Sequence, residues 1–404
     1  MPYHSRIGPA LKRLGLYHLS QLAELTIDAG LISGLIERWR PETHTFHMPV
    51  GEMTVTLQDV SCLWGLPITG QPVTGIEYGD YDGLIEDLLG LPPDEEVQKK
   101  RKKGGIHRVS RAFIHLPQLR LRFAQLDPAA TDDEVDHYTR AYILDMFATW
   151  MFPDSSGDTV PVVYLHFLRD LHSPAPVNWG SAVLALLYRG LCNACQIKFK
   201  TFVGPAALLQ HWSYSRLPVA RPKPLQRGWT PDWGEPDGES CPAYAERWSS
   251  KKMYDNCPHG ATVGITFFRT QLDCLTDEMV DWQPYEAYFE RRDATILQLL
   301  PAICRTESQY WLARVPLIHF SVIEHTYPDR VMRQFGMAQL FPPQPAIPED
   351  YWRRLHARHA AVKNKDWSTV YSTEVSYAAA PSEHLVPVAP PYNYEQFKYA
   401  CNFI

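Results

Sequence analysis

A double change of period between Leu35 and Gly70 limits the folds open to this chain more than any other feature. Upstream of it, Leu11, Leu14, Leu19, Leu22, Leu25, Leu31, Ile32, Leu35 and Ile36 recur at three- and four-residue spacings, so residues 7–39 read mostly as helix. Pro41 ends that pattern and pushes Arg40 toward extended geometry. The segments "THTFHMP" and "MTVTL" then flank "VGE", which predicts a β-hairpin closed by Gly51. Thr56 is placed to cap a short helix through "LQDVSCLWG", and Gly65 and Pro67 stop it. Helix, hairpin and helix therefore follow one another directly.

The same stretch crowds Trp39, Arg40, Glu42, His44, His47 and Glu52 together. His44 and His47 with Glu42 or Glu52 have the donor types of a metal site. In a strand, however, positions i and i+3 point to opposite faces, so the two imidazoles diverge. An Arg fork on a carboxylate fixes orientation as well as charge. Arg40 is thus expected to pair with Glu42 or Glu52 across the hairpin, with Val55, Leu57 and Val60 facing the core. The cluster reads mainly as architecture, with Trp39, Arg40, Glu42 and Glu52 as candidate partner contacts.

Further along, Thr131 and Glu134 have capping-box spacing ahead of "TDDEVDHYTRAYILDMFATWMF", a helix of about five turns. A strongly apolar helix is predicted over Trp179 to Gln196, and Pro205 opens a third that ends before Pro218. Weaker helical patterns occupy "LTDEMVDW", "DATILQLLPAI", "PDRVMRQFG" and "PEDYWRRLHARHAAVKN". From Pro218 to Gly260 the composition turns to Pro, Gly, Trp and charge, and reads as an irregular insertion. The expected fold is mainly α: one large helical domain, residues 1–367, with a small N-terminal β-hairpin and an irregular insertion at about 218–260. Residues 368–404 read as a C-terminal tail with little core of its own.

Bulk properties exclude several classes. With 404 residues, 45% hydrophobic and 12% aromatic, the chain is globular in composition. A net charge of -6 provides no global basic field for nucleic acid, so a DNA contact would rest on a local patch. The apolar run "AVLALLY" is far shorter than the roughly 18–20 residues a bilayer demands. The opening "MPYHSRIGPALKRLG" has no apolar core of the signal-peptide kind. Eight scattered Cys suggest no disulfide framework, so a reducing, intracellular compartment is expected.

No catalytic motif or cofactor site emerges. Cys192 and Cys195 have C-x-x-C spacing but sit at the end of an apolar helix, where Cys behaves as a small hydrophobe. Cys241, Cys257, His259 and Cys274 make a loose Cys₃His set, the best metal candidate in the chain and a weak one. There is no P-loop, no Gly-x-Ser-x-Gly elbow, and no phosphate cradle beside Lys198 or Lys200. "GDYDG" at residues 79–83 reads as a surface turn. The basic run Lys99, Lys100, Arg101, Lys102 and Lys103 lies in a polar loop between Leu91 and Arg111 and has the composition of a nuclear-import signal. Trp212 and Trp311 are expected in the core. Trp229, Trp233 and Trp248 lie in the insertion, either buried against the body or available as partner anchors; of these, Trp229 and Trp233 are taken as partner candidates.

The stretch "LIERWRPETHTFHMPVGEMTVTLQDVSCLWGLPITGQPVTG" resembles the signature of the plant mobile domain family. "YILDMFATWMFPDSSGDTVPVVYLHFLRDL", "NWGSAVLALLYRGLCNAC", "LDCLTDEMVDWQPY" and "DRVMRQFGMAQ" resemble its later blocks in the same order, from roughly Leu14 to Asn364. The family includes maintenance-of-meristems proteins and domains carried by transposable elements. The resemblance implies a non-catalytic nuclear protein in transposable-element silencing, gene expression and genome stability, partnered by a phosphatase-like protein of the plant PP-seven type. It implies no catalytic residues. Two departures are the Pro218–Gly260 insertion and the absence of a fused phosphatase domain in this sequence. Two other classes compete: a transposon-derived DNA-binding domain, and an enzyme of unrecognised type.

Overall fold

The computed structural model describes residues 1–22, 25–75, 81–92, 112–196, 201–222, 243–248, 260–285, 302–340 and 366–386. The helical pattern over 7–39 is cut into three short helices, α1 (Gly8–Arg13), α2 (Tyr17–Ser20) and α3 (Ala29–Ile36). Gly15 causes the first break: it holds φ +68°, and a Cβ there would meet the Pro67 ring at 2.9 Å. Asp28 starts α3 by accepting from the Gly30 and Leu31 amides.

The expected hairpin gains a third strand. β1 (Trp39–Arg40), β2 (Thr45–Met48) and β3 (Gly51–Met53) form an antiparallel sheet, with Trp39 opposite Phe46 and Phe46 opposite Met53. Those three residues are buried, so the alternation in the sequence sends one row into the core. Pro49 and Val50 make the turn, and Gly51 opens β3 at φ +118°. α4 (Leu57–Trp64) carries the capping box of Thr56 with Asp59, and Gly65 closes it in the left-handed conformation.

α5 (Tyr81–Leu89) comes next, so Tyr81 to Gly83 of "GDYDG" begin a helix, whereas Gly79 and Asp80 lie outside the described residues. β4 (Phe113–His115) pairs with β5 (Thr159–Pro161) around α6 (Leu116–Arg122) and α7 (Asp132–Met146). α7 has the predicted Thr131–Glu134 box and runs on as a π-helical turn, Phe147–Met151. Arg140, in the middle of α7, is almost wholly buried, and its guanidinium donates to the Leu88, Leu168 and Arg169 carbonyls. Leu88 lies in the last turn of α5, while Leu168 and Arg169 end a 3₁₀ helix over Val162–Leu168. One cation thereby satisfies carbonyls at two helix C-termini.

α8 (Trp179–Ala194) and α9 (Ala206–Arg216) are the helices their patterns predict, and they form the centre. α9 is buried all round: Gln210, His211, Ser213, Ser215 and Arg216 are each at most 2% exposed. α10 (Gly260–Asp273) packs Phe268 and Leu272 against Gly34 of α3. The insertion is not wholly peripheral, since Tyr244 and Trp248 of its 3₁₀ turn are core residues. α11 (Ala302–Thr306) leads into a second hairpin, β6 (Pro316–His319) and β7 (Val322–His325), which the sequence pattern did not announce. "PDRVMRQFG" forms two 3₁₀ turns closed by Gly336. The region read as a tail begins with α12 (Trp367–Val370) and α13 (Ser372–Ala379); Trp367, Tyr371 and Ala378 join the common core, and Leu385 bridges Ala313. The described chain is mainly helical with small antiparallel sheets. None of its described helices is long and apolar enough to cross a membrane.

Asp59 and Arg216 tie this core together, both fully buried. Asp59 Oδ1 accepts from Arg216 Nε at 2.9 Å, Arg216 Nη2 at 2.8 Å and the Tyr285 hydroxyl at 2.7 Å. Its Oδ2 accepts from the Thr56 amide and hydroxyl at 2.8 and 2.7 Å. Removing one member strands a buried charge, so Arg216→Ala should lower the unfolding free energy by about 3–5 kcal/mol in denaturant titrations. The double change Asp59→Leu with Arg216→Met should cost less than Arg216→Ala alone.

Candidate interaction surface around the N-terminal sheet

The sheet's second face carries Arg40, Thr45, His47 and Glu52, because pairing sets Arg40 opposite Thr45 and His47 opposite Glu52. Glu52 therefore lies two strands away from Arg40. The expected Arg40 pairing is corrected here: Glu52 is held by Arg330, whose Nε and Nη2 reach its two oxygens at 2.7 and 2.5 Å, with the Thr45 hydroxyl donating at 2.9 Å. These contacts hold the Glu52 carboxyl below its usual range against the opposing effect of partial burial. Arg40 is exposed and donates to the carbonyl of Trp39 at 3.1 Å. Glu42 is exposed on the turn beside it.

The segment after β7 clamps this sheet. Arg333 donates to the Val50 carbonyl at 2.8 Å, stacks 3.7 Å from the Trp282 ring centroid and pairs with Asp277. Gln334 accepts from the Thr54 amide at 2.7 Å and donates to the Thr54 carbonyl at 2.8 Å, supplying the bonds another strand would make. In the sequence "DRVMRQFGMAQ" stands out as a family-like block, but its clamping role does not.

Trp39 is 1% exposed, so it belongs to the sheet's core side and not to a partner surface. Its indole N–H donates to Cys192 Sγ at 3.2 Å, and its ring stacks on His44, centroids 5.9 Å apart. His44 and His47 diverge as predicted, one buried and the other exposed. His44 Nδ1 lies 2.7 Å from the His325 carbonyl, and Nε2 lies 3.2 Å from Glu324 Oε2. Both partners only accept, so the ring carries both protons and is an imidazolium. Burial opposes that charge, but Cys192 and Glu324 outweigh it and raise the His44 pKa to about 10. Glu324, wholly buried, also pairs with Arg189; Arg189 and His44 overcome the effect of burial and hold its carboxyl down at about 2. Cys192, the third member of this arrangement, is wholly buried and accepts from the Trp39 indole, so the cluster is part of the packed interior.

The two thiols of the C-x-x-C spacing are not bonded to each other. Cys195 donates to the Cys192 carbonyl at 3.3 Å, and burial pushes its thiol up to about 11. Among the described residues no group of three or more His, Cys, Asp or Glu is arranged to hold a metal ion. Of the Cys₃His set only Cys274 is described; it is free and exposed, whereas Cys241, Cys257 and His259 lie outside the described residues. The same holds for Trp229, Trp233, Lys99, Lys100, Arg101, Lys102, Lys103, Lys198 and Lys200. Trp212 is core, and Trp311 is partly buried against it.

Sequence reasoning missed Arg189, Glu324 and Arg330. For Glu324 a signal exists: a lone carboxylate inside the alternation "PLIHFSVIEH" demands a cationic partner if that hairpin is buried.

The described residues form a helical body carrying a small clamped sheet, with Glu52, Arg333 and Gln334 bonded within the protein. The chain belongs to the plant mobile domain family, whose model matches residues 15–397. It is 37% identical over 390 residues to a serine/threonine-protein phosphatase 7 long form homolog of Arabidopsis thaliana, covering 96% of this chain and 27% of that protein. It is 33% identical to Protein MAIN-LIKE 2 over 93% of this chain and 51% of that protein, and 30% identical to Protein MAINTENANCE OF MERISTEMS over 82% and 62%, both from the same plant. The chain thus spans between about a quarter and three-fifths of the length of these relatives. No solved structure matches.

The His44–Glu324 pair links stability to pH. With the folded His44 pKa near 10, above the ordinary value of about 6.5, its contribution is complete below pH 6.5 and lost as pH rises toward 10. Unfolding free energy measured between these limits should fall as pH rises, and His44→Gln should flatten that slope.

Proposed function

We propose that this chain is a non-catalytic protein-interaction module that acts in the nucleus beside a phosphatase-like partner, in transposable-element silencing, control of gene expression and genome stability. One observation carries the reading. Glu52, Asp59, Arg189, Arg330 and Gln334 of the family-like blocks, and Arg216 between them, are engaged within the protein, while Arg40, Glu42 and His47 are exposed around the N-terminal sheet. His47 is held largely neutral: burial lowers its pKa, with Arg40 and Arg330 adding to that effect against Glu52 and Glu42. The face therefore offers one cation, one anion and an uncharged imidazole, a pattern suited to a mixed polar rim. A relative with a phosphatase name that aligns over nearly the whole of this chain supports the phosphatase-like partner.

Tagged chain recovered from plant nuclear extract, with and without nuclease treatment, tests the proposal. A phosphatase-like protein should appear in both arms. Arg40→Glu with Glu42→Lys should reduce its recovery severalfold while changing stability by less than about 0.5 kcal/mol, the scale of surface substitutions. Recovery of chromatin proteins alone, lost on nuclease treatment, would overturn it in favour of DNA binding.

A further inference from the structure

The loop between the π-helical turn and β5 stands out from the body of the protein. Ser155, Ser156, Gly157 and Asp158 are all exposed, between the buried residues Phe152 and Val160. A Cβ added at Gly157 would meet no atom within 4 Å, so the tip is open to an approaching protein. The loop nevertheless has a fixed shape. Asp154 Oδ1 accepts from the Ser156 and Gly157 amides at 2.9 and 3.0 Å, and the Asp158 carbonyl accepts from the Leu116 amide at the start of α6 at 2.7 Å.

Its two serines differ. The Ser156 hydroxyl donates to Asp154 Oδ1 at 2.6 Å and lies 2.9 Å from Thr159 Oγ1. The Ser155 hydroxyl bonds no group among the described residues. Three residues on, the Asp158 carboxylate is 51% exposed, with Oδ2 3.4 Å from His115 Nε2. A free hydroxyl followed at that spacing by an exposed carboxylate suits a kinase with a basic substrate groove: a cation in the groove pairs with the carboxylate and aligns the hydroxyl for transfer. Elsewhere the fold occupies this spacing. Thr56 and Thr131 are held in capping boxes with Asp59 and Glu134, and the Thr270 hydroxyl donates to the Thr266 carbonyl within α10. Glu324, three residues after Ser321, is wholly buried, and Thr326 is buried too.

We infer that Ser155 is a phosphoacceptor for an acidophilic serine kinase. In the transfer, Ser155 Oγ bonds to the γ-phosphorus of ATP, the bond from that phosphorus to ADP breaks, ADP leaves, and the hydroxyl proton passes to the catalytic base of the kinase. The product carries about −1.5 to −2 charge at pH 7, and repulsion from Asp154 and Asp158 turns the phosphate to solvent. The site lies away from the N-terminal sheet and does not depend on the partner proposed for that sheet.

The test incubates the full folded chain with radiolabelled ATP and an acidophilic kinase of the casein-kinase class, and maps the phosphate by mass spectrometry. Label should appear on Ser155 and be lost from this loop in Ser155→Ala. Asp158→Asn should lower the rate of labelling about tenfold or more, the scale of one lost charge-assisted bond, and Asp158→Glu should restore it. Unchanged circular dichroism of each variant reports an intact fold. A kinase that selects arginine before the acceptor should leave the loop unlabelled. Phosphate on Thr131 or elsewhere with Ser155 unmodified, or labelling of Ser155 that Asp158→Asn does not slow, would overturn the inference.

Discussion

The Asp59 carboxylate is the point on which the described structure hangs. It belongs to a capping box, so its first task is local: it closes back on Thr56 and starts α4. The same group takes the guanidinium at the C-terminal end of α9 and the hydroxyl of Tyr285, residues 157 and 226 positions away. Burying an ion pair costs several kcal/mol per ion before any attraction is counted. That cost is offset only if all the acceptor capacity is used, and here three donors converge on Oδ1 and two on Oδ2. Arg216 also donates to the Trp282 carbonyl at 2.5 Å and lies 5.4 Å from the Tyr285 ring centroid. A shifted register of α4 or α9 would leave a bare charge in an apolar core, so the pair specifies one arrangement as well as holding it.

The other buried charges obey the same logic with different partners. Arg140 answers helix-end carbonyls, which carry partial negative charge but no proton to lose, so that contact survives changes of pH that would neutralise a carboxylate. Glu324 sits between two cations, His44 and Arg189, and joins β7 to α8 and to the turn before β2. Every such tie spans distant sequence, and some, such as Asp59 with Tyr285, join one of the blocks shared with the family to another. Those blocks are therefore readable as halves of long-range contacts.

This accounts for what could be read from one sequence. Thr56, Thr131 and Gly65 announce helix ends because a cap is a local event, satisfied within four residues. The alternation from Thr45 to Met53 announces the sheet for the same reason. Arg330 could not be assigned to Glu52, since nothing within reach of a periodic pattern distinguishes it from Arg40 as the nearer cation; only the strand register, which puts Arg40 two strands off, decides between them. α9 was legible as a helix but not as the centre of the protein, because "LLQHWSYSR" has the polar content of a surface helix. Its Gln210 bonds the Asp28 amide and the Thr26 carbonyl, and its Ser215 accepts from Trp248. Gln210 and Ser215 thus find partners that composition cannot show. Trp39 was misplaced on the surface by its polar neighbours, although its position in the alternation pairs it with Phe46 and Met53.

The consequence for recognition lies in how the exposed rim is supported. Arg40 and His47 stand on strands whose opposite side is packed by Trp39, Phe46 and Met48, and whose outer edge is bonded by Gln334 and Arg333. A partner binding there meets a surface with little backbone freedom left to lose, so modest contacts convert more fully into affinity. An exposed ion pair alone is worth at most about 1 kcal/mol, too little to define a partner. What the clamped sheet adds is fixed spacing between a cation, an anion and a neutral imidazole. Under the proposed reading, selectivity on such a face comes from a partner whose own charges match that spacing, and the Arg330–Glu52 contact keeps the Glu52 carboxylate out of that set.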